Sequence, residues 1–299
     1  MIPKIIYVFW HSEEIPPFSM SCLNLLKKNN INWVVKVYHY KDILLFHNLP
    51  FFITDYENRK KEHININKVL IDKLDYYKRV SDWFRLYILY NFGGLYIDIN
   101  CICLKNFDKL IDENSNKLLG FSYPNRNVIC MENWFLCSNK KNIFVAEWLK
   151  ETEEAYINMN EYCEVNYIYS DNNALKMLPY LSQHLAWMKI NKTKEHLRKY
   201  YHFIMNAIDT YGPYGWIKKF NKNSIWDLLL IPQNNSFLNH IFFFKLRSGD
   251  KADLDFLIKI NKIPTYSFLY KLLNLSNKRD IDTEQIINKL LFSFNDDDI

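Results

Sequence analysis

Three charged side chains interrupt the apolar stretch "SDWFRLYILYNFGGLYIDIN" (81–100): Asp82, Arg85 and Asp98, with Asn100 two beyond the last. Side chains of an extended chain alternate faces, so in "LYIDIN" Tyr96, Asp98 and Asn100 are expected on one face and Leu95, Ile97 and Ile99 on the other. An acid and an amide oxygen two residues apart at a strand's end are hard donors that converge on a cation such as Mg²⁺ or Mn²⁺. Such a cation neutralises a diphosphate and assists its departure. A strand-end acid satisfied by backbone donors, with the Asn in a turn, is the competing structural reading. Asp82 and Arg85, at i and i+3, share a helical face, where they pair with each other or jointly grip a polyol.

The elements that must position these residues follow from periodicity. An apolar stripe through Val80, Phe84, Tyr87 and Ile88 predicts a helix over about 72–92, and Gly93 stands where a helix C-terminus needs positive φ. "KIIYVFW" (4–10) and "WVVKVYHY" (33–40) are strand candidates, with helices expected after "PPF" and at "KDILLFHN". Further strands are expected at 118–122 and 129–137 and a helix at about 142–157. Residues 55–68 read as a surface loop or helix start. The order predicts an α/β fold with a mixed, mostly parallel sheet flanked by helices. Residues 1–170 are expected as the core and 171–299 as a mainly helical part completing one unit, with a break at "TYGPYGW" (210–216).

The stretch 81–100 resembles the S-D-x-x-R…L-Y-x-x-G-G-x-Y-x-D-x-D core of GT-A-fold glycosyltransferases. It is similar above all to family 32 with its capsular-polysaccharide-synthesis relatives, and more distantly to the glucosylating clostridial toxins. "IPKIIYVFW" is similar to that family's opening strand, and "VKVYHY" to its second. The resemblance implies a GT-A-like (Rossmann-like) fold and a retaining hexosyltransferase that depends on Mn²⁺ or Mg²⁺. It implies a UDP- or GDP-sugar donor and a glycan or glycolipid acceptor, as in polysaccharide biosynthesis. By the same resemblance Trp10 borders the nucleotide base, Asp82 and Arg85 bind the donor sugar, and Asp98 holds the metal. Asn100 then stands where the family usually has a second aspartate, which lowers the charge of the site by one. His240, after the strand-like "LLLIP" (228–232), is a further candidate metal ligand. A sugar-nucleotide-binding protein without catalysis is the alternative, with Asn100 as its mark; a phosphoesterase would need more clustered Asp or His.

Composition excludes other classes. A hydrophobic share of 49% and a charged share of 24% belong to a folded protein. The net charge of +5 comes without a dense basic stripe, so nucleic acid is not expected as a partner. The cysteines (22, 101, 103, 130, 137 and 163) lack zinc spacing and are expected as reduced thiols. P-loop, dinucleotide-binding, zinc-protease and nucleophile-elbow motifs are absent. With no leader-like start and no apolar run of about 18 residues, a cytoplasmic location is expected. The Lys- and aromatic-rich segment 255–280 reads first as a helical subdomain capping the acceptor side of the site, with peripheral membrane contact as the alternative.

Overall fold

The computed structural model describes residues 1–61, 73–125, 128–157, 172–215, 240–246 and 248–277. The expected strand at 228–232, Cys163, Trp216 and the acidic C-terminal end lie outside them. The chain runs β1 (Ile5–Trp10), α1 (Pro17–Asn29), β2 (Val34–His39), α2 (Tyr40–Ile43), α3 (Phe51–Lys61) and α4 (Lys73–Phe92). Then come β3 (Gly94–Ile97), β4 (Cys101–Cys103), β5 (Leu118–Asn125), β6 (Val128–Ser138), α5 (Ile143–Ile157) and α6 (Asn172–Thr193). The described chain ends with β7 (Tyr201–Asn206), β8 (Phe243–Lys245), α7 (Ser248–Lys259) and α8 (Phe268–Asn277). The α/β class expected from the sequence is the class observed.

Two compact units share the chain in interleaved segments: Met1–Glu13, Lys36–Ile97 and Glu113–Ile204 form one, and Glu14–Val35, Asp98–Asp112 and Met205–Ile299 the other. Residues 171–204 therefore lie with the first unit. The reason is α6, whose Leu185, Ala186, Trp187, Met188 and Ile190 join the same core as α4 and α5. The 171–299 region is also less purely helical than its sequence suggests, since β7 and β8 interrupt it.

The sheet of the first unit has six strands in the order β2-β1-β3-β6-β5-β7. β1 and β3 pair in parallel, with Ile6 opposite Leu95 and Tyr7 opposite Tyr96, while β6 runs antiparallel to both β3 and β5. Central strands are covered on both faces, and β3 is accordingly buried along its whole length. Asn142 starts α5 by accepting hydrogen bonds at Oδ1 from the Phe144 and Val145 amides, at 2.9 and 3.2 Å, as an N-cap residue does.

Helix α4 is the element that carries the first site. Val80, Trp83, Phe84, Leu86, Ile88 and Leu89 are all buried, so apolar packing surrounds the helix rather than covering one stripe. It ends as its sequence predicts. Gly93 takes φ 69° and returns its amide to Leu89 O at 2.9 Å, and Gly94 follows at φ 107°. The two glycines turn the chain directly from helix into strand β3. Among the described residues, no helix is long and apolar enough to cross a membrane.

The second unit holds the antiparallel pair β4–β8, with Cys101 opposite Lys245 and Cys103 opposite Phe243. Its core joins Phe18, Cys22 and Leu25 of α1 with Leu254 of α7 and Phe268, Leu269 and Leu272 of α8. Ile258, Ile263, Phe268, Leu269, Leu272 and Leu273 of the Lys- and aromatic-rich segment are thus committed to that core, although Phe256 and Tyr266 stay exposed. Cys22, Cys101, Cys103, Cys130 and Cys137 are buried and form no disulfide.

Candidate functional site

On α4, the i and i+3 spacing does bring Asp82 and Arg85 together. Arg85 Nη1 lies 2.8 Å from Asp82 Oδ1, with side chains only 5% and 13% exposed respectively. Charges this deep need a full set of partners. Asp82 accepts from Asn133 Nδ2 of β6 at 3.2 Å and from the Tyr156 hydroxyl of α5 at 3.1 Å. Gln183 of α6 donates to the Asp82 carbonyl at 2.7 Å, and its own Oε1 accepts from Asn133 at 2.7 Å and from Arg85 at 3.3 Å. Arg85 also donates to Ser81 Oγ at 3.0 Å and lies over the Tyr96 ring, 4.9 Å from its centre. Burial, and then Asp82, hold the Tyr156 hydroxyl well above its ordinary pKa, so it stays a donor. Beside this cluster, burial and then Arg85 press His184 down to about 4, so its ring is neutral at neutral pH.

The network joins polar side chains of α4, β6, α5 and α6. Its partners Asn133, Tyr156, Gln183 and His184 were not singled out from sequence. A signal existed for some of them. Asn133 is polar inside the apolar strand "VICMENWFLCS", and "SQH" (182–184) breaks the apolar run of α6.

Trp10 ends β1, half-buried, with its ring centre 5.1 Å from that of His11, which in turn stacks on Tyr77 at 5.1 Å. The three rings give the first unit an aromatic row at the end of a sheet strand.

In the second unit the D-x-N element departs from its expected form. Strand β3 stops at Ile97, and Ile99 and Asn100 form a turn, so face alternation does not extend to Asp98 and Asn100. Asn100 is 3% exposed, and its Oδ1 accepts from Ser19 Oγ of α1 at 2.6 Å. Asp98 Oδ2 accepts from Lys245 Nζ of β8 at 2.5 Å. His240 is exposed, its ring 4.8 Å from that of Tyr211.

These donors fit a divalent cation poorly. One carboxylate already holds an ammonium, and the amide oxygen beside it is turned to a hydroxyl in the core. A doubly charged ion about 4 Å from that ammonium would meet a repulsion of about 8 kcal/mol at an effective dielectric constant of about 20. Among the described residues, no group of three or more His, Cys, Asp or Glu is arranged to hold a metal.

Residues 3–117 match the glycosyltransferase sugar-binding region containing DXD motif. Trp10, Asp82, Arg85, Asp98 and Asn100 all lie inside the matched residues, and His240, Asn133, Tyr156, Gln183 and Lys245 lie beyond them. No curated protein sequence matches the chain significantly. Among solved structures, the chain is similar to the PaToxG glycosyltransferase at 15% identity and a TM-score of 0.43, over 92% of this chain and 87% of that one. It is similar to the glycosyltransferase GlyE of Streptococcus pneumoniae TIGR4 at 14% identity and a TM-score of 0.43, over 97% of this chain and 63% of that one. This chain thus spans less than two thirds of the length of GlyE. The UDP-bound glycosyltransferase domain from the YGT toxin aligns at 11% identity and a TM-score of 0.38, over 97% of each chain.

Proposed function

We propose that this protein transfers a hexose from a nucleoside diphosphate sugar to a hydroxyl of a glycan or glycolipid, with retention at the anomeric carbon. The observation that carries the reading is the Asp82–Arg85 pair, buried and locked by Asn133, Tyr156 and Gln183, inside the stretch that matches a sugar-binding region. A carboxylate and a guanidinium fixed in one orientation present acceptors and donors at the spacing of adjacent sugar hydroxyls. Because their geometry is set before any sugar arrives, little ordering entropy is lost on binding.

In this reading Trp10 offers its ring face to the nucleotide base. The acceptor hydroxyl attacks the anomeric carbon on the side of the departing diphosphate, and no side chain is needed as covalent nucleophile. The charge that grows on the diphosphate must be met by a cation. The resemblance implies a divalent ion at Asp98 and Asn100, whereas the donor set there carries a single carboxylate. A binding protein without catalysis is the second reading, favoured by the withdrawal of Asn100 into the core.

The experiment is hydrolysis and transfer from a panel of UDP- and GDP-hexoses by the wild type and by Asp82→Asn. Turnover of one donor, lowered about a hundredfold or more in a folded Asp82→Asn protein, is the expected result. Binding of a sugar nucleotide without turnover would select the second reading. Absence of both would remove the function proposed.

A further inference from the structure

Residues 256–271 include the lysines Lys259, Lys262 and Lys271 and no acid. Their apolar side chains divide into two sets. Ile258, Ile263, Phe268, Leu269 and Leu272 pack into the core of the second unit. Phe256, Ile260 and Tyr266 are left outside it, 60%, 43% and 62% exposed. At the end of α7, Phe256, Lys259 and Ile260 stand at i, i+3 and i+4 and so share one face. Lys259 and Lys262 are exposed, and among the described residues neither takes part in an ion pair. Asp255, one turn before Lys259, accepts instead from the Phe18 amide of α1 at 3.0 Å.

The turn that carries this face is fixed by its own backbone. Asn261 takes φ 52°, its amide reaches Ile258 O at 3.1 Å, and the Lys262 amide reaches Leu257 O at 3.0 Å. These are the two bonds of a Schellman cap. Ser267 then opens α8, its Oγ accepting from the Tyr270 amide at 3.1 Å. With those bonds already made, little ordering entropy is lost when the turn meets a surface.

Single exposed apolar side chains are ordinary on a protein. Here they are interleaved with cations that lack an acidic partner. An apolar patch on another protein would bury those ammonium groups without acceptors, whereas lipid phosphates lie at the depth where lysine side chains end. Nucleic acid would call for a wider basic stripe.

We infer that the α7–α8 turn docks on anionic lipid bilayers: Phe256, Ile260 and Tyr266 enter the interface, and Lys259 and Lys262 meet the headgroup phosphates. The contact is reversible, because so small a face falls far short of an anchored segment. It involves the second unit alone and is independent of the sugar-nucleotide reading.

The test is co-sedimentation of the full chain with vesicles of phosphatidylcholine alone and of phosphatidylcholine with about 30% phosphatidylserine. Binding to the anionic vesicles is expected to be about tenfold tighter or more, and to weaken as salt is raised. Lys259→Gln/Lys262→Gln should lose about tenfold on anionic vesicles and change little on neutral ones. Phe256→Ser/Tyr266→Ser should lose about tenfold on both. All four positions are exposed, so the thermal unfolding of both variants should match wild type. No sedimentation of wild type with either vesicle, equal binding to the two, or undiminished binding by Lys259→Gln/Lys262→Gln would overturn the inference. So would a lipid-free dimer that Phe256→Ser/Tyr266→Ser dissolves, since the face would then belong to a second copy of the chain. None of these outcomes bears on donor turnover, so the sugar-nucleotide reading stands or falls separately.

Discussion

The Tyr156 hydroxyl of α5 donates to Asp82 Oδ2 of α4 at 3.1 Å, which ties the candidate sugar-binding carboxylate to a helix more than seventy residues away in sequence. Burial and the neighbouring carboxylate keep that hydroxyl protonated, so the contact is a neutral donor on a charged acceptor. Hydrogen bonds of this kind contribute about 1.5–3 kcal/mol. Tyr156→Phe is therefore expected to lower unfolding free energy by about that amount in urea titrations. In an Asp82→Asn background the same change should cost about 1 kcal/mol less, because the acceptor has lost its charge. Equal losses in both backgrounds would mean that Tyr156 acts through ring packing, for instance against Phe52, rather than through Asp82.

The double glycine is a second point at which the backbone constrains the site. A Cβ on Gly94 would stand 2.6 Å from the carbonyl oxygen of Ile5 in the paired strand and 3.0 Å from Tyr7 Cε2, at a φ of +107° that side chains rarely adopt. Neither obstacle is the free end of a flexible chain. Gly94→Ala is expected to cost about 3 kcal/mol or more, from strain and from the displaced β1–β3 pairing. Gly120 is the control: its added Cβ meets the Met131 side chain at 3.0 Å, an unbranched thioether that yields more readily than backbone. Gly120→Ala should cost about 1 kcal/mol or less, and thermal unfolding of the two variants side by side makes the comparison.

What could be read beforehand was whatever local pattern decides. Val80, Phe84 and Ile88 announce α4, Gly93 its end, and Asp82 and Arg85 their own pairing, because each is settled within a turn or two of chain. The partners of that pair come from β6, α5 and α6, and no local pattern states which polar residue of one element will meet which of another. The same limit explains the D-x-N element. Alternation would put Asp98 and Asn100 on one face, but the strand stops at Ile97, and what captures each side chain is a long-range contact, Lys245 for one and Ser19 for the other. Lys245 had left a trace, as a single cation closing the apolar run "IFFFK" much as Asp98 closes "LYID". Two opposite charges that each close an apolar run are natural candidates for one another, since burial is far less costly for the pair than for either alone.

His184 makes the buried network sensitive to acid. Its pKa falls from the ordinary 6.5 to about 4, first through burial and then through Arg85, and its Nδ1 is enclosed with no hydrogen-bond partner among the described residues. Well above pH 6.5 the ring is neutral in folded and unfolded chains alike, and it contributes no pH dependence. As pH falls below that value the unfolded chain takes up a proton that the folded one refuses, so stability declines until about pH 4 and then levels. Between about pH 7 and about pH 5 the loss from this residue alone should be about 2 kcal/mol. Other groups titrate in the same window, so the measurement is a difference: urea unfolding of wild type and of His184→Gln across that range. The variant is expected to lose about 2 kcal/mol less than wild type over the interval, its neutral amide having nothing to protonate. Parallel curves for the two proteins would show that His184 titrates normally in the folded state, and that Arg85 is better screened from it than their burial implies.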